Sequence, residues 1–271
     1  MRNSWKKPGR TARRYVAVIL ALILVVGWRV PDRALAADTI TIAAAADLTF
    51  AFKEVVPEFE KETGDTVKLS FGSSGNFFAQ IQNGAPYDIF FSADIGYPKK
   101  LEAAGLTEPG TIYEYAVGKI VLWVLNQSPL DLSKGLSILT DTRINKIAIA
   151  DPAHAPYGRA AVEALKNDKL YDHVKGKLVQ GENIAQTAQF VQSGSADIGI
   201  LALSLALAPT LQKQGRYGEI PNTLYPPIEQ AAVVLKASKE KVAAEAFIAF
   251  LEKPETVALM KRYGFVIPPK G

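Results

Sequence analysis

The sequence predicts an α/β protein built as two lobes that the chain leaves and re-enters. Two observations carry this reading. Strand-like and helix-like segments alternate from residue 39 onward, the pattern of βαβ units and mainly parallel sheets. Two β-prone runs, 113–125 (YEYAVGKIVLWVL) and 230–235 (QAAVVL), bracket a middle block. A chain that crosses out on the first run and returns on the second gives two α/β lobes joined by two crossing strands. The boundaries read as 37–118 with 232–271 for lobe I and 119–231 for lobe II. Ligands of such sheets sit beyond the carboxyl ends of the strands, so the two sets of ends can face each other across a cleft.

The elements follow in order. Residues 40–46 form a strand running into four alanines, and 48–62 a helix with apolar residues at Leu48, Phe52, Val55, Val56 and Phe59. Asp47 falls at the N-cap position, and Pro57 is expected to kink or end that helix. TVKLSF, 66–71, alternates as a strand and leads through Gly72-Ser73-Ser74-Gly75 into a short helix, 76–82. DIFFS, 88–92, is an apolar strand before helix 97–104, and 126–136 is a polar loop. In the middle block, strands at 146–150, 178–180 and 196–201 alternate with helices at 159–167, 185–192 and 203–212. Helices at 239–251 and 254–263 close the chain. Several strands thus end in small-residue turns at a helix start, where unpaired N–H groups and the positive end of the dipole favour an anion.

Composition narrows the function. Of 31 Lys and Arg, eight lie in residues 1–36 with a single acid, leaving 23 basic against 26 acidic residues in 37–271. The pI near 9 therefore belongs to the leader and gives no ground for nucleic-acid binding. That leader has a basic start, a 14-residue apolar core at 15–28 and Ala34-Leu35-Ala36, the pattern of a signal peptide cleaved after Ala36. The absence of cysteine excludes disulfides, thiol nucleophiles and thiolate metal sites, and two histidines, His154 and His173, are too few for a histidine-rich centre. There is no P-loop, G-x-G-x-x-G, H-E-x-x-H or G-x-S-x-G motif. A serine hydrolase using Ser74, His154 and an Asp stands as the rival of another class, without its nucleophile elbow.

The segments ITIAAAADL, SFGSSGNFFAQIQNGAPYDIFFSAD, IAIADPAHAPYGRAAVEAL, SGSADIGILALS and KRYGFVIP occur in that order. Together they resemble the periplasmic molybdate-binding proteins of ABC importers, over essentially all of 39–268. The resemblance implies a two-lobed, type II periplasmic-binding-protein fold and a periplasmic, non-enzymatic receptor. Such a receptor holds molybdate, with tungstate beside it, and passes it to a membrane ABC permease; a monomer without a cofactor is the family expectation. It implies an oxyanion held by hydroxyls and backbone N–H groups, with no bond from protein to metal. Carried over by position, the site residues are Ala46 and Asp47, Ser74, Tyr157, and Ile184 through its N–H. Two departures matter. Many family members have Ser, Thr or Asn where Asp47 stands, and a Tyr in the loop that here reads Gly199-Ile200-Leu201-Ala202. Tyr157 is expected to supply the phenol instead, and Ser73, Asn76 and Ser92 to fix loop geometry.

Asp47 leaves three readings open. Two like unit charges ~4 Å apart cost ~4 kcal/mol at an effective dielectric near 20, so a carboxylate facing molybdate would repel it. The carboxylate turns away and caps its helix while its backbone N–H binds the anion, or it accepts a hydrogen bond from a protonated anion such as hydrogen phosphate, or it helps bind a cation. Phosphate, sulfate or a metal cation are the alternative ligands that these readings bring with them.

Overall fold

The computed structural model describes Arg2 and residues 37–269. The expected signal peptide, 1–36, lies outside the described residues apart from Arg2. Residues 37–269 carry two five-stranded sheets, each flanked by helices.

The first sheet has the order β2-β1-β3-β10-β4, from β1 (Thr39–Ala45), β2 (Thr66–Gly72), β3 (Ile89–Ser92), β4 (Tyr113–Gly118) and β10 (Ile228–Val234). The second has the order β7-β6-β8-β5-β9, from β5 (Ile120–Leu125), β6 (Ile147–Ala150), β7 (Leu178–Gly181), β8 (Ile198–Ala202) and β9 (Gly215–Glu219). The two orders are equivalent. In each sheet four strands run in one direction and a single strand, β10 or β5, runs against them, so the sheets are mixed, mainly parallel in direction with one reversed strand. Each reversed strand follows a crossing.

The run 113–125 is two strands, broken at Lys119, and it carries the chain from the first sheet to the second. The return is not a strand but the segment 220–227, with a 3-10 turn at Asn222–Leu224, after which β10 enters the first sheet at Ile228. β9 was not expected: GRYGE has no apolar alternation, and it is a strand because it pairs with β5 along its length.

Helices α1 (Thr49–Thr63), α2 (Ser74–Gln82) and α3 (Gly96–Ala103) accompany the first sheet. Pro57 does not end α1. It lies on the exposed side, where the carbonyl it deprives of a partner faces water. On the opposite side Phe52 and Phe59 meet Phe91 of β3 and Phe247 edge to face, with ring centroids 4.9–5.9 Å apart. This cluster fixes α1 and the turn that precedes it. The second sheet carries α4 (Pro156–Asn167), α5 (Tyr171–Val174), α6 (Ile184–Gln192), α7 (Leu203–Ala206) and α8 (Pro209–Gln214). The helix expected at 203–212 is broken at Ala208, which is extended because Pro209 follows it. Helices α9 (Lys241–Phe250) and α10 (Pro254–Arg262) return to the first lobe, where Arg262 pairs with Glu54 of α1.

Candidate functional site

Asp47 does not cap α1. It sits in a 3-10 turn, Ala46–Leu48, between β1 and the helix, and no side chain caps either element. The carboxylate is buried and turned toward the other lobe, where its Oδ2 accepts from Tyr157 Oη at 2.9 Å. Gln230, on β10 of its own lobe, donates Nε2 to the same oxygen at 2.9 Å and lies 2.9 Å from Tyr157 Oη. Tyr115 on β4 extends the chain, donating to Gln230 Oε1 at 2.7 Å. Ser204 of α7 donates to the Asp47 carbonyl at 2.8 Å. The four side chains of Asp47, Tyr115, Tyr157 and Gln230 are at most 3% exposed, so this network is closed to water.

Two glycines make the approach possible. A Cβ on Gly118, at the outbound crossing, would stand 2.2 Å from Tyr157 Oη and 2.7 Å from Gln230 Nε2. A Cβ on Gly158 would stand 2.1 Å from the Ala150 carbonyl, so only glycine lets α4 start against the end of β6 and aim Tyr157 inward.

Burial pushes the Asp47 carboxyl up to about 6, held back by Gln230, Tyr157 and the backbone N–H groups of Asp47 and Leu48. No cation acts on it. Burial and the Asp47 charge push the Tyr157 and Tyr115 phenols well above their ordinary value, so both remain protonated donors. Asp47 Oδ1, in contrast, has no hydrogen-bond partner. Neither has Ser73 Oγ, buried at the N-cap of α2. Among the described residues four buried side-chain polar atoms lack a partner, and these two stand at the carboxyl ends of the adjacent strands β1 and β2.

The remaining expected residues fall around this edge. Ala46 is buried in the same turn as Asp47, and that turn packs against α6 and α7 of lobe II. Ser74 lies one residue inside α2, fully buried, and its Oγ accepts the N–H of Ala93 at 2.9 Å. Ile184 opens α6; Asn183 takes the N–H groups of Ala185 and Gln186 on its Oδ1, which leaves the Ile184 N–H as the unclaimed donor of that turn. The structure thus joins Asp47 and Tyr157 directly. Ser73 does not fix its loop by a hydrogen bond, contrary to expectation. Ser92 does, bonding both the N–H and the carbonyl of Asp94. Asn76 instead reaches across to Glu182 at 3.1 Å.

Other cross-lobe contacts hold the two edges together. Gly75 N–H donates to the His154 carbonyl at 2.9 Å, and Arg159 of α4 pairs with Asp94 at 2.5 Å. His154 is itself exposed and makes no bond to Ser74, which removes the hydrolase arrangement. Among the described residues no group of three His, Cys, Asp or Glu could hold a cation. Gln230, Ser204 and Tyr115 were not singled out from the sequence, although Ser204 is a lone polar residue inside an apolar run.

Comparison with known proteins agrees with this architecture. The chain is 40% identical to the molybdate-binding protein ModA of Rhodobacter capsulatus over 246 residues, covering 91% of this chain and 94% of that one. It is 29% identical to the Escherichia coli protein of the same name, covering 84% and 89%. The solved periplasmic molybdate-binding protein of Azotobacter vinelandii superposes with a TM-score of 0.80 at 35% identity, covering 85% of this chain and all of that one. Residues 40–266 match the family described as bacterial extracellular solute-binding protein, and the chain belongs to that family.

Proposed function

We propose that the protein is a periplasmic receptor that binds molybdate, and tungstate with it, between its two lobes and delivers it to an ABC permease. We take the lobes as 37–118 with 228–271 and 119–227, four residues earlier than the sequence reading of 232, because the whole of β10 pairs in the first sheet; the mature chain, a monomer, begins after Ala36. The observation that carries the reading is Ser73 Oγ, a buried hydroxyl whose proton has no acceptor, at the same inter-lobe edge as the unpartnered Asp47 Oδ1. Buried polar groups are normally satisfied, and those that are not point to a missing partner. Around them stand neutral donors: the hydroxyls of Ser73, Ser74 and Tyr157, the Gln230 amide and the Ile184 N–H. A helix N-terminus contributes ~0.3–1 kcal/mol toward an anion when exposed and up to ~2 when partly buried, so several together hold a dianion without Lys or Arg. Ala46 contributes by its size, letting the ligand approach the backbone. The molybdate-binding relatives, 40% identical over most of both chains, support the choice of anion.

Calorimetric titration with molybdate, tungstate, sulfate and phosphate tests the reading. The first two are expected to bind far more tightly than the others. A preference for phosphate, or heat from none of the four, would overturn it.

A further inference from the structure

The donors that would serve an anion are already committed to a charge inside the protein. Tyr157 has one hydroxyl proton and gives it to Asp47 Oδ2, and Gln230 Nε2 is directed to the same oxygen. The carboxylate is in effect a resident anion at the inter-lobe edge. Its other oxygen, Oδ1, has no donor in hydrogen-bond geometry, although the N–H groups of its own turn, at Asp47 and Leu48, act on the carboxylate. Molybdate is a dianion at neutral pH and brings no proton, so an ionised Asp47 and the ligand would compete for one set of donors and repel each other.

We propose that the receptor takes up one proton with its anion, held between Asp47 Oδ1 and an anion oxygen as a single O–H···O bond. This rests on the anion site described above. The balance is simple: carboxylate, dianion and one solvent proton give a complex in which the pair carries two negative charges rather than three. Once Asp47 is neutral, its Oδ2 is a weaker acceptor, and the Tyr157 proton can turn from it to the ligand.

The surroundings leave Asp47 as the group that titrates. The turn packs against β2, α1, α6 and α7. Helices α6 and α7 carry no titratable residue. Lys68 of β2 is exposed, the charged groups of α1 lie away from its buried face, and none of them acts on the Asp47 carboxyl. Gln230 is uncharged, while Tyr157 and Tyr115 keep their protons because burial and Asp47 push them upward. The Asp47 carboxyl, at about 6, is ionised at neutral pH and accepts a proton without a large change in conditions.

The test is calorimetry of the full mature chain with sodium molybdate, in buffers of different ionisation enthalpy, from pH 5 to pH 8. Proton uptake is expected to rise from near zero at pH 5 to near one at pH 8, with the dissociation constant increasing about tenfold per pH unit above pH 7. Asp47→Asn is expected to remove the uptake and flatten the slope to less than about twofold per unit. Tight binding without uptake in the wild type overturns the proposal and leaves the receptor reading intact, as does uptake that persists in the variant. If the variant fails to fold, the wild-type uptake decides alone. Absence of molybdate heat at every pH would instead defeat the receptor reading itself.

Discussion

Ser73 and Asn183 occupy equivalent places in the two lobes. Each follows the edge strand that leads its sheet order, β2 or β7, and each is the N-cap of the next helix. Asn183 spends its carboxamide on its own helix, bonding two first-turn N–H groups at 3.0 Å. Ser73 makes no cap bond, and its hydroxyl is buried without a partner. The same contrast extends to the neighbouring turns. Lobe II presents Tyr157, a donor already engaged, whereas lobe I presents Asp47, with one oxygen satisfied and one not. A side chain that satisfies its own backbone is explained by folding. One that is buried and unsatisfied in a closed site is not, because a lost partner costs ~1–3 kcal/mol. Lobe I therefore holds the unsatisfied side chains of the site, and lobe II contributes side chains that folding already accounts for together with the free Ile184 N–H.

The largest effect that sharpens this contrast is the pH dependence of stability. Asp47 has a carboxyl pKa of about 6 in the fold against 3.8 ordinarily. A raised pKa means that the folded protein holds the proton more tightly than the unfolded chain. This contribution is complete below pH 3.8 and is lost as pH rises through 6. The shift corresponds to about 3 kcal/mol. Urea unfolding of the anion-free protein between pH 4 and pH 7 should show Asp47→Asn gaining on the wild type by up to that amount, with the gap level above pH 7. A gap that does not change with pH would separate Asp47 from the network.

Next is Tyr157→Phe, which removes a donor from a buried carboxylate and from the inter-lobe edge. It is expected to cost ~1–3 kcal/mol in unfolding at pH 7, where Asp47 is charged, and less at pH 4. An equal cost at both values would make the phenol a packing group.

The direct comparison comes third. Asn183→Ala is expected to lower stability by ~1 kcal/mol, the value of an N-cap. Ser73→Ala, which removes a hydroxyl that folding does not use, should leave stability unchanged or slightly raised while weakening molybdate binding by ~0.5–1.5 kcal/mol. Were the two effects exchanged, with Ser73→Ala destabilising and binding untouched, the division between the lobes would fail. Smallest is Arg159→Ala. Its pair with Asp94 is more than a third exposed on both sides, and exposed pairs contribute ~0.2–1 kcal/mol.

Much of the fold was legible because it is local. The strand-to-helix turns at Ala46, Ser74, Tyr157 and Ile184 were visible from small residues, caps and apolar periodicity, and they fall at one inter-lobe edge. What was missed depends on distant partners. Gln230 lies 183 residues from Asp47, and nothing near it in the sequence marks it as more than one polar residue in a strand. Ser204 lies 157 residues away, in an apolar run. β9 exists only because β5 offers it an edge. The capping role assigned to Asp47 failed for a local reason: the chain inserts a 3-10 turn between strand and helix, which moves the cap position to Leu48 and turns the carboxylate toward the other lobe. Propensity identifies an Asp before a helix as a cap, and tertiary contact with Tyr157 and Gln230 overrode it.

The central claim is that an oxyanion fills the unsatisfied half of this edge. A crystal structure of the mature protein grown with molybdate, with molybdenum located by its anomalous scattering, tests it most directly. The account places the anion within hydrogen-bonding reach of Ser73 Oγ, Asp47 Oδ1, Tyr157 Oη and the Ile184 N–H. Molybdenum found elsewhere, with the Asp47, Tyr157 and Gln230 network unchanged and Ser73 still without a partner, would contradict it.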